Sequence, residues 1–204
     1  MISKIATAVS EWLVAQGAVT DKDKSLFAYA VYSFLFGMTP IVIIVVLGFI
    51  FDMLAEGLLL ITPFMLLRKF SGGYHLKSPL VCVITSTTLL TLSLLSVRFI
   101  VAGEAVIILS SLVLLAIVTL FLLSPIDSEA RRLSAKEVKT FRLIARTIAI
   151  LFLVIYVLLM LSNHVDTAAP IGVGMIIPAI LQLPCVIQRM IAKPHANNQS
   201  QIGK

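Results

Sequence analysis

The sequence AVIILSSLVLLAIVTLFLL, residues 105–123, contains no charged side chain. A helix needs about 20 apolar residues to cross the hydrocarbon core of a bilayer. Inside lipid, a segment must satisfy its backbone hydrogen bonds internally or in a closed barrel, which favours a helix for a run of this kind. Residues 105–123 therefore predict a transmembrane α-helix.

Apolar runs on both sides extend this pattern along the chain. The other predicted spans are residues 27–50, 53–67, 79–101, 143–161 and 171–191. Pro40 is expected to kink the first span, while Pro178 and Pro184 are expected to interrupt the last one. Residues 2–16 carry apolar side chains at helical spacing, which predicts an amphipathic helix at the membrane interface. The fold class is therefore all-α: a polytopic integral membrane protein with about six transmembrane helices and an N-terminal interfacial helix.

Composition supports the same class. Of the 204 residues, 59% are hydrophobic and 13% are charged, against about 25% charged in soluble domains. The two cysteines match neither a disulfide framework nor a metal site, and nothing else indicates a metal or a cofactor. A net charge of +6 is ordinary for a protein with basic cytoplasmic loops and gives no argument for nucleic acid. We expect a single membrane domain over residues 1–193 and a flexible polar tail over residues 194–204.

The positions of the basic residues predict the orientation. With the N-terminus in the cytoplasm, fifteen of the sixteen Lys and Arg residues lie in or beside cytoplasmic segments, and only Arg98 lies toward the outside. This bias is typical of correctly oriented membrane proteins. It predicts that both termini are cytoplasmic and that residues 68–78 lie at the inner edge of the membrane.

The loop RKFSGGYHLKS, residues 68–78, and the start of the next span hold the candidate chemistry. His75 and Cys82 are seven residues apart, so one unbroken helix would separate them by about 10 Å. Gly72 and Gly73 give the backbone access to positive φ. Ser78 and Pro79 are typical of an N-cap and a first helical residue. The histidine can therefore fold back over the helix end that carries Cys82.

A cysteine in this place is suited to nucleophilic chemistry. The thiolate is the reactive species, and a helix N-terminus favours a nearby anion. An imidazole can take the thiol proton, and free backbone N–H groups can hold an oxyanion. From the residues alone, the alternatives stay open that Cys82 is a small packing residue and His75 a solvated loop residue. Cys185, His164 and His195 are given no role.

The arrangement of Arg68, Gly72, Gly73, His75 and Cys82 resembles the signature of the accessory gene regulator B family of bacterial membrane peptidases. The segment SPIDS at residues 124–128, followed by basic residues, is similar to that family's central loop. The resemblance implies a cysteine endopeptidase of the bacterial plasma membrane that cleaves a quorum-sensing propeptide. Cys82 would form a thioester with His75 as general base, and a thiolactone or lactone would follow.

The resemblance also implies partners and further roles. The substrate would be a short amphipathic propeptide, and contacts with lipid and a homodimer are expected. Arg68 would hold a substrate carboxylate, orient the loop or anchor it at the inner membrane surface; Gly72 and Gly73 would shape the loop. Asp127 lies on the same predicted side, with no assigned contact.

Two other classes remain as alternatives. A small transporter or permease without peptidase activity would explain Glu56 and the prolines of the last span. A non-catalytic membrane scaffold or sensor is the second. Serine and zinc peptidases are disfavoured because the chain contains neither GxSxG nor HExxH.

Overall fold

A computed structural model describes residues 2–72, 78–125 and 135–199, and the regular elements in this part of the chain are helices. Seven are α-helices: α1 (Ile2–Ala15), α2 (Lys24–Phe51), α3 (Leu54–Ser71), α4 (Pro79–Phe99), α5 (Val106–Leu123), α6 (Ala135–Leu161) and α7 (Val165–Gln199). A 3-10 turn, Asp21–Asp23, precedes α2, and a π-helical turn, Ile100–Glu104, follows α4. The all-α fold class is confirmed.

Five of the described helices are long and apolar enough to cross a membrane. These segments are Asp21–Phe51, Pro79–Gly103, Val106–Leu123, Glu137–Leu161 and Val165–Ile187. Helix α3 coincides with the predicted second span, but its 18 residues include Glu56, Arg68 and Lys69. The multi-pass membrane class is thus supported, while the count of six spans and the interfacial position of α1 stay predictions.

Helix α7 differs from the sequence-based expectation in two respects. The last span was expected to begin at residue 171, but α7 begins at Val165. Pro178 and Pro184 were expected to interrupt this helix, and that expectation was wrong because α7 continues through both. Proline removes one backbone donor, yet apolar bundles tolerate it because neighbouring groups satisfy the freed carbonyls. Pro178 is itself fully buried, as a residue packed against other helices would be.

The chain divides into two compact units, Met1–Ile43 and Ile44–Lys204. In the first unit, the ammonium of Lys24 pairs with the carboxylate of Glu11 at 3.1 Å, which ties the start of α2 to α1. The rings of Tyr32 and Phe36 stack with centroids 5.9 Å apart. The predicted division into residues 1–193 and a polar tail stays a prediction.

The second unit is built around α7, the most deeply buried of the five candidate spans. Gly174 faces α3 so closely that a Cβ atom there would overlap the carbonyl oxygen of Leu60 and come within 2.7 Å of Cγ of Pro63. A Cβ on Gly172 would lie 2.9 Å from Cε2 of Tyr156 in α6. Gly174 therefore lets α7 pack directly against the backbone of α3, and Gly172 leaves room for the Tyr156 ring of α6.

Helix α2 passes into α3 through a two-residue turn formed by Asp52 and Met53. Asp52 has a φ of 55°, and the amide of Met53 donates a hydrogen bond to the carbonyl of Gly48 at 2.8 Å. A Cβ on Gly48 would lie 2.9 Å from Cα of Leu54. The reversal is therefore tight, and it sends α3 back alongside the end of α2.

Replacing Gly174 by Ala tests the close packing of α3 and α7. Overpacking a filled interface costs about 1–3 kcal/mol, more than the roughly 0.5–1 kcal/mol that Ala gains in helix propensity. We expect a clear fall in the thermal unfolding midpoint of the detergent-solubilised protein. Gly37→Ala is the matched control, because a Cβ on Gly37 meets nothing within 4 Å. Equal midpoints for the two variants would contradict this packing.

Candidate functional site

The ends of α3 and α5 and the start of α4 meet the middle of α7 in the second unit. Gln182 of α7 donates hydrogen bonds to the carbonyl of Ser71 in α3 and to the hydroxyl of Ser124, which directly follows α5. The guanidinium of Arg68 in α3 interacts electrostatically with Cys82 of α4 and Cys185 of α7. Residues that are far apart in sequence therefore form one polar cluster within an apolar bundle.

Cys82 lies in the first turn of α4, as the sequence predicted. Ser78 is the N-cap residue, with extended backbone at φ −95° and ψ 122°, and Pro79 follows it inside the helix. The backbone amide of Cys82 donates a hydrogen bond to the carbonyl of Ser78 at 3.0 Å. The Ser78 side chain makes no capping hydrogen bond in the structure. The Cys82 side chain is half-buried at this helix N-terminus, so part of the residue is exposed.

Arg68 brings positive charge to this sulfur. It lies in the last turn of α3, just beyond the apolar part of the helix. Burial lowers the pKa of its guanidinium, and the sulfur atoms of Cys82 and Cys185 oppose that shift. Arginine nevertheless stays protonated at neutral pH. Reactive cysteines commonly lie near cationic side chains, so the interaction of Arg68 with Cys82 is a feature that this site shares with them.

The diglycine loop begins with the backbone conformation that the sequence predicted. Gly72 has a φ of 74° and a ψ of −161°, a combination open to glycine and strained for residues with a Cβ atom. Gly73, His75 and Asp127 lie outside the described residues. The placement of His75 against Cys82 therefore stays a prediction, and the structure supplies the two anchors of the loop, Ser71–Gly72 and Ser78.

Gln182 and Cys185 are the members of the cluster that the sequence analysis missed. The Gln182 side chain is fully buried, and its amide nitrogen lies 3.2 Å from the carbonyl oxygen of Ser71 and 2.8 Å from Oγ of Ser124. Cys185, which was given no role, follows one helical turn later. The sequence carried one signal that could have found Gln182, because it is a lone amide in an apolar helix. Buried polar side chains generally have hydrogen-bond partners, so such an amide predicts a polar contact with a neighbouring segment.

Arg146 holds the end of α5, from which the SPIDS segment leaves. One of its guanidinium nitrogens donates a hydrogen bond to the carbonyl of Phe121 at 2.8 Å, and the guanidinium carbon lies 5.3 Å from the centre of the Phe121 ring. Cationic side chains commonly satisfy the last carbonyls of a helix in this way. Ser124, buried at the same helix end, is thereby fixed where Gln182 can reach it.

A second set of charged residues lies at the opposite end of α3. Asp52, Glu56, Arg98 and Asp166 line a cavity of about 280 Å³. Glu56 is in the first turn of α3 and Arg68 in its last turn, so the two lie a helix length apart. Within the described ranges, no group of three His, Cys, Asp or Glu side chains could hold a metal ion.

Comparison with known proteins gives a family. The family model described as Accessory gene regulator B matches residues 4–183, which is most of the chain. Two curated AgrB-like proteins of Clostridium perfringens, from strains 13 and SM101, are 27% and 26% identical over 84 residues. Each alignment covers 41% of this chain and 39% of the relative, so the matched part spans about two fifths of these relatives. No solved structure matches the chain significantly.

The family match covers all but the first three residues and the region after residue 183, and it contains Arg68, Gly72, Gly73, His75 and Cys82. It spans α2 to α6 completely, together with most of α1 and more than half of α7. Gln182 lies inside the matched region, whereas Cys185 lies just beyond it. On the extent of this match, the chain belongs to the accessory gene regulator B family.

Proposed function

We propose that this protein is a membrane-embedded cysteine endopeptidase that cleaves a quorum-sensing propeptide, with Cys82 as nucleophile and His75 as general base. The observation that carries the proposal is the position of Cys82 in the first turn of α4, where Arg68 of α3 interacts with it electrostatically. A helix N-terminus and a nearby cationic side chain are both features of reactive cysteines. Family membership and the match to the GGxH and Cys pattern support the same assignment.

The chemistry begins with proton transfer from Sγ of Cys82 to the imidazole of His75. The sulfur then attacks a backbone carbonyl carbon of the propeptide, and the carbonyl oxygen takes the negative charge. Backbone N–H groups at the start of α4 are available to stabilise that oxyanion. Collapse breaks the C–N bond, and the imidazolium returns its proton to the departing amine. The N-terminal part of the propeptide remains as a thioester on Cys82.

A cyclic product follows from the same intermediate. A thiol or hydroxyl of the bound propeptide attacks the thioester carbon, loses its proton and releases the Cys82 thiolate. The new bond closes a thiolactone or a lactone, so no water is consumed. An apolar helix bundle around the site disfavours hydrolysis, and an intramolecular nucleophile has a large advantage in effective concentration.

Substrate, location and assembly follow from the family and from charge placement. The proposed substrate is a short amphipathic propeptide that reaches the site from the cytoplasmic side of a bacterial plasma membrane. Both termini are proposed to lie in the cytoplasm, and a homodimer is proposed from the family alone. Helix α1 places apolar and polar residues on different faces and is a proposed contact for the propeptide or the lipid surface.

The transporter alternative loses part of its support. Discontinuous helices mark the binding sites of many transporters, and the prolines of the last span had suggested one. Because α7 runs without a break through Pro178 and Pro184, this chain offers no such interruption there. The charged cavity at the opposite end of α3 is the remaining feature in favour of transport.

Replacing Cys82 by Ala tests the nucleophile. We expect propeptide cleavage to disappear, because no thioester can form. Cys185→Ala is the matched cysteine variant and should still cleave. The measurement is mass spectrometry of short candidate propeptides co-expressed with each variant. Cleavage that persists in the Cys82→Ala protein would refute the proposed function.

Labelling from either side tests the proposed orientation. A membrane-impermeant maleimide should modify Cys82 in inside-out vesicles and spare it in right-side-out vesicles. The Cys185→Ala variant carries Cys82 as its one thiol. A second variant, Cys82→Ala/Cys185→Ala/Ser162→Cys, carries a reference thiol at the exposed turn between α6 and α7. That reference should show the opposite preference. If both thiols are labelled from the same side, the proposed topology is wrong.

A further inference from the structure

A buried amide joins the parts of the bundle that carry the cluster. Gln182 has no exposed surface, and its amide nitrogen donates to Ser71 and to Ser124. Ser71 and Ser124 are themselves buried, with exposures of 0% and 3%. Ser71 is the last residue of α3, and Ser124 directly follows α5. One side chain of α7 therefore fixes the positions at which two helices end.

The faces of α3 and α7 that carry Ser71 and Gln182 also carry a second interacting pair, Arg68 and Cys185. Arg68 precedes Ser71 by three residues, and Cys185 follows Gln182 by three residues, so each pair lies on one side of its helix. Arg68 interacts electrostatically with Cys185, while Gln182 is bonded to Ser71. The last turn of α3 is thus hydrogen-bonded to α7 through Gln182, and Arg68 on the same turn interacts electrostatically with Cys185 of α7 and Cys82 of α4.

Stability alone does not explain an amide at this position. The carbonyl oxygen of Gln182 is buried and has no hydrogen-bond partner among the described residues. A buried acceptor without a partner is costly, and an apolar side chain of the same shape would avoid that cost. Unsatisfied buried groups of this kind are expected where a residue serves a function.

We propose that Gln182 is a positioning residue of the site: by holding the carbonyl of Ser71, it keeps the last turn of α3, and with it the guanidinium of Arg68, in place near Cys82. Its catalytic importance rests on the proposed function, whereas its effect on Arg68 can be measured without any substrate. The amide acts through the last turn of α3 and makes no contact with reacting atoms. Its bond to Ser124 sets the direction of the amide group.

The test compares two alkylating reagents at Cys82 in the purified full-length protein at pH 7.5. Iodoacetate is an anion and iodoacetamide is neutral, so the ratio of their rates reports the positive charge beside the sulfur. Peptide mass spectrometry separates Cys82 from Cys185. Gln182→Met keeps the side-chain length and removes the amide. We expect the iodoacetate to iodoacetamide ratio at Cys82 to fall about fivefold, in keeping with partial loss of a nearby unit charge.

A double-mutant comparison shows whether the effect passes through Arg68. Arg68→Gln should lower the ratio at least as much as Gln182→Met, and combining the two substitutions should lower it no further. Tyr156→Phe is the matched control: it removes another interhelical hydrogen bond, 2.9 Å from Ser110, away from the cluster. That variant should keep the native ratio.

An unchanged rate ratio at Cys82 in Gln182→Met would overturn the positioning role and leave a structural one. An equal fall in the alkylation rates of both reagents would do the same. If Gln182→Met fails to fold, Ser124→Ala removes one partner of the amide and should lower the ratio about twofold; an unchanged ratio there would also overturn the inference. Failure of the proposed function is separate, because it appears as propeptide cleavage by the Cys82→Ala protein.

Discussion

The site is organised around the electrostatic interaction of Arg68 with Cys82 and Cys185, which links α3 to α4 and α7. Burial of Arg68 is unfavourable for its positive charge, and its electrostatic interactions with Cys82 and Cys185 act against that cost. Cys82 lies in the first turn of α4, at the end of the helix where the dipole is positive. The fold therefore places a cation and a helix N-terminus near the same cysteine.

This arrangement requires α7 to pass very close to α3. Gly174 lets the backbone of α7 lie against Leu60 and Pro63, and two turns later the same helix presents Gln182 to Ser71. A wider separation would take the amide out of hydrogen-bond range. The position of Arg68 thus depends on the hydrogen bonds of Gln182. Those hydrogen bonds depend in turn on the close packing of α3 and α7 at Gly174.

Much of this could be predicted from the sequence, because the controlling signals are local. Long uncharged runs predict apolar helices, Ser78 and Pro79 predict the start of α4, and the diglycine predicts the positive φ found at Gly72. The prolines of α7 misled the prediction, since their effect depends on neighbouring helices. Gln182 and Cys185 were missed because their partners lie at least 58 residues away in sequence, and no periodicity reports such contacts. Pairing of His75 with Cys82 stays a prediction.

Disulfide trapping between residues 75 and 82 tests the central claim most directly. The variant His75→Cys/Cys185→Ala holds thiols only at positions 75 and 82, and two cysteines can be bridged when their Cα atoms lie within about 7 Å. If the diglycine turn returns the loop to the start of α4, mild oxidation should give an intramolecular disulfide, detected by peptide mass spectrometry. Two free thiols after oxidation, with the protein still folded and both thiols open to alkylation, would contradict the claim.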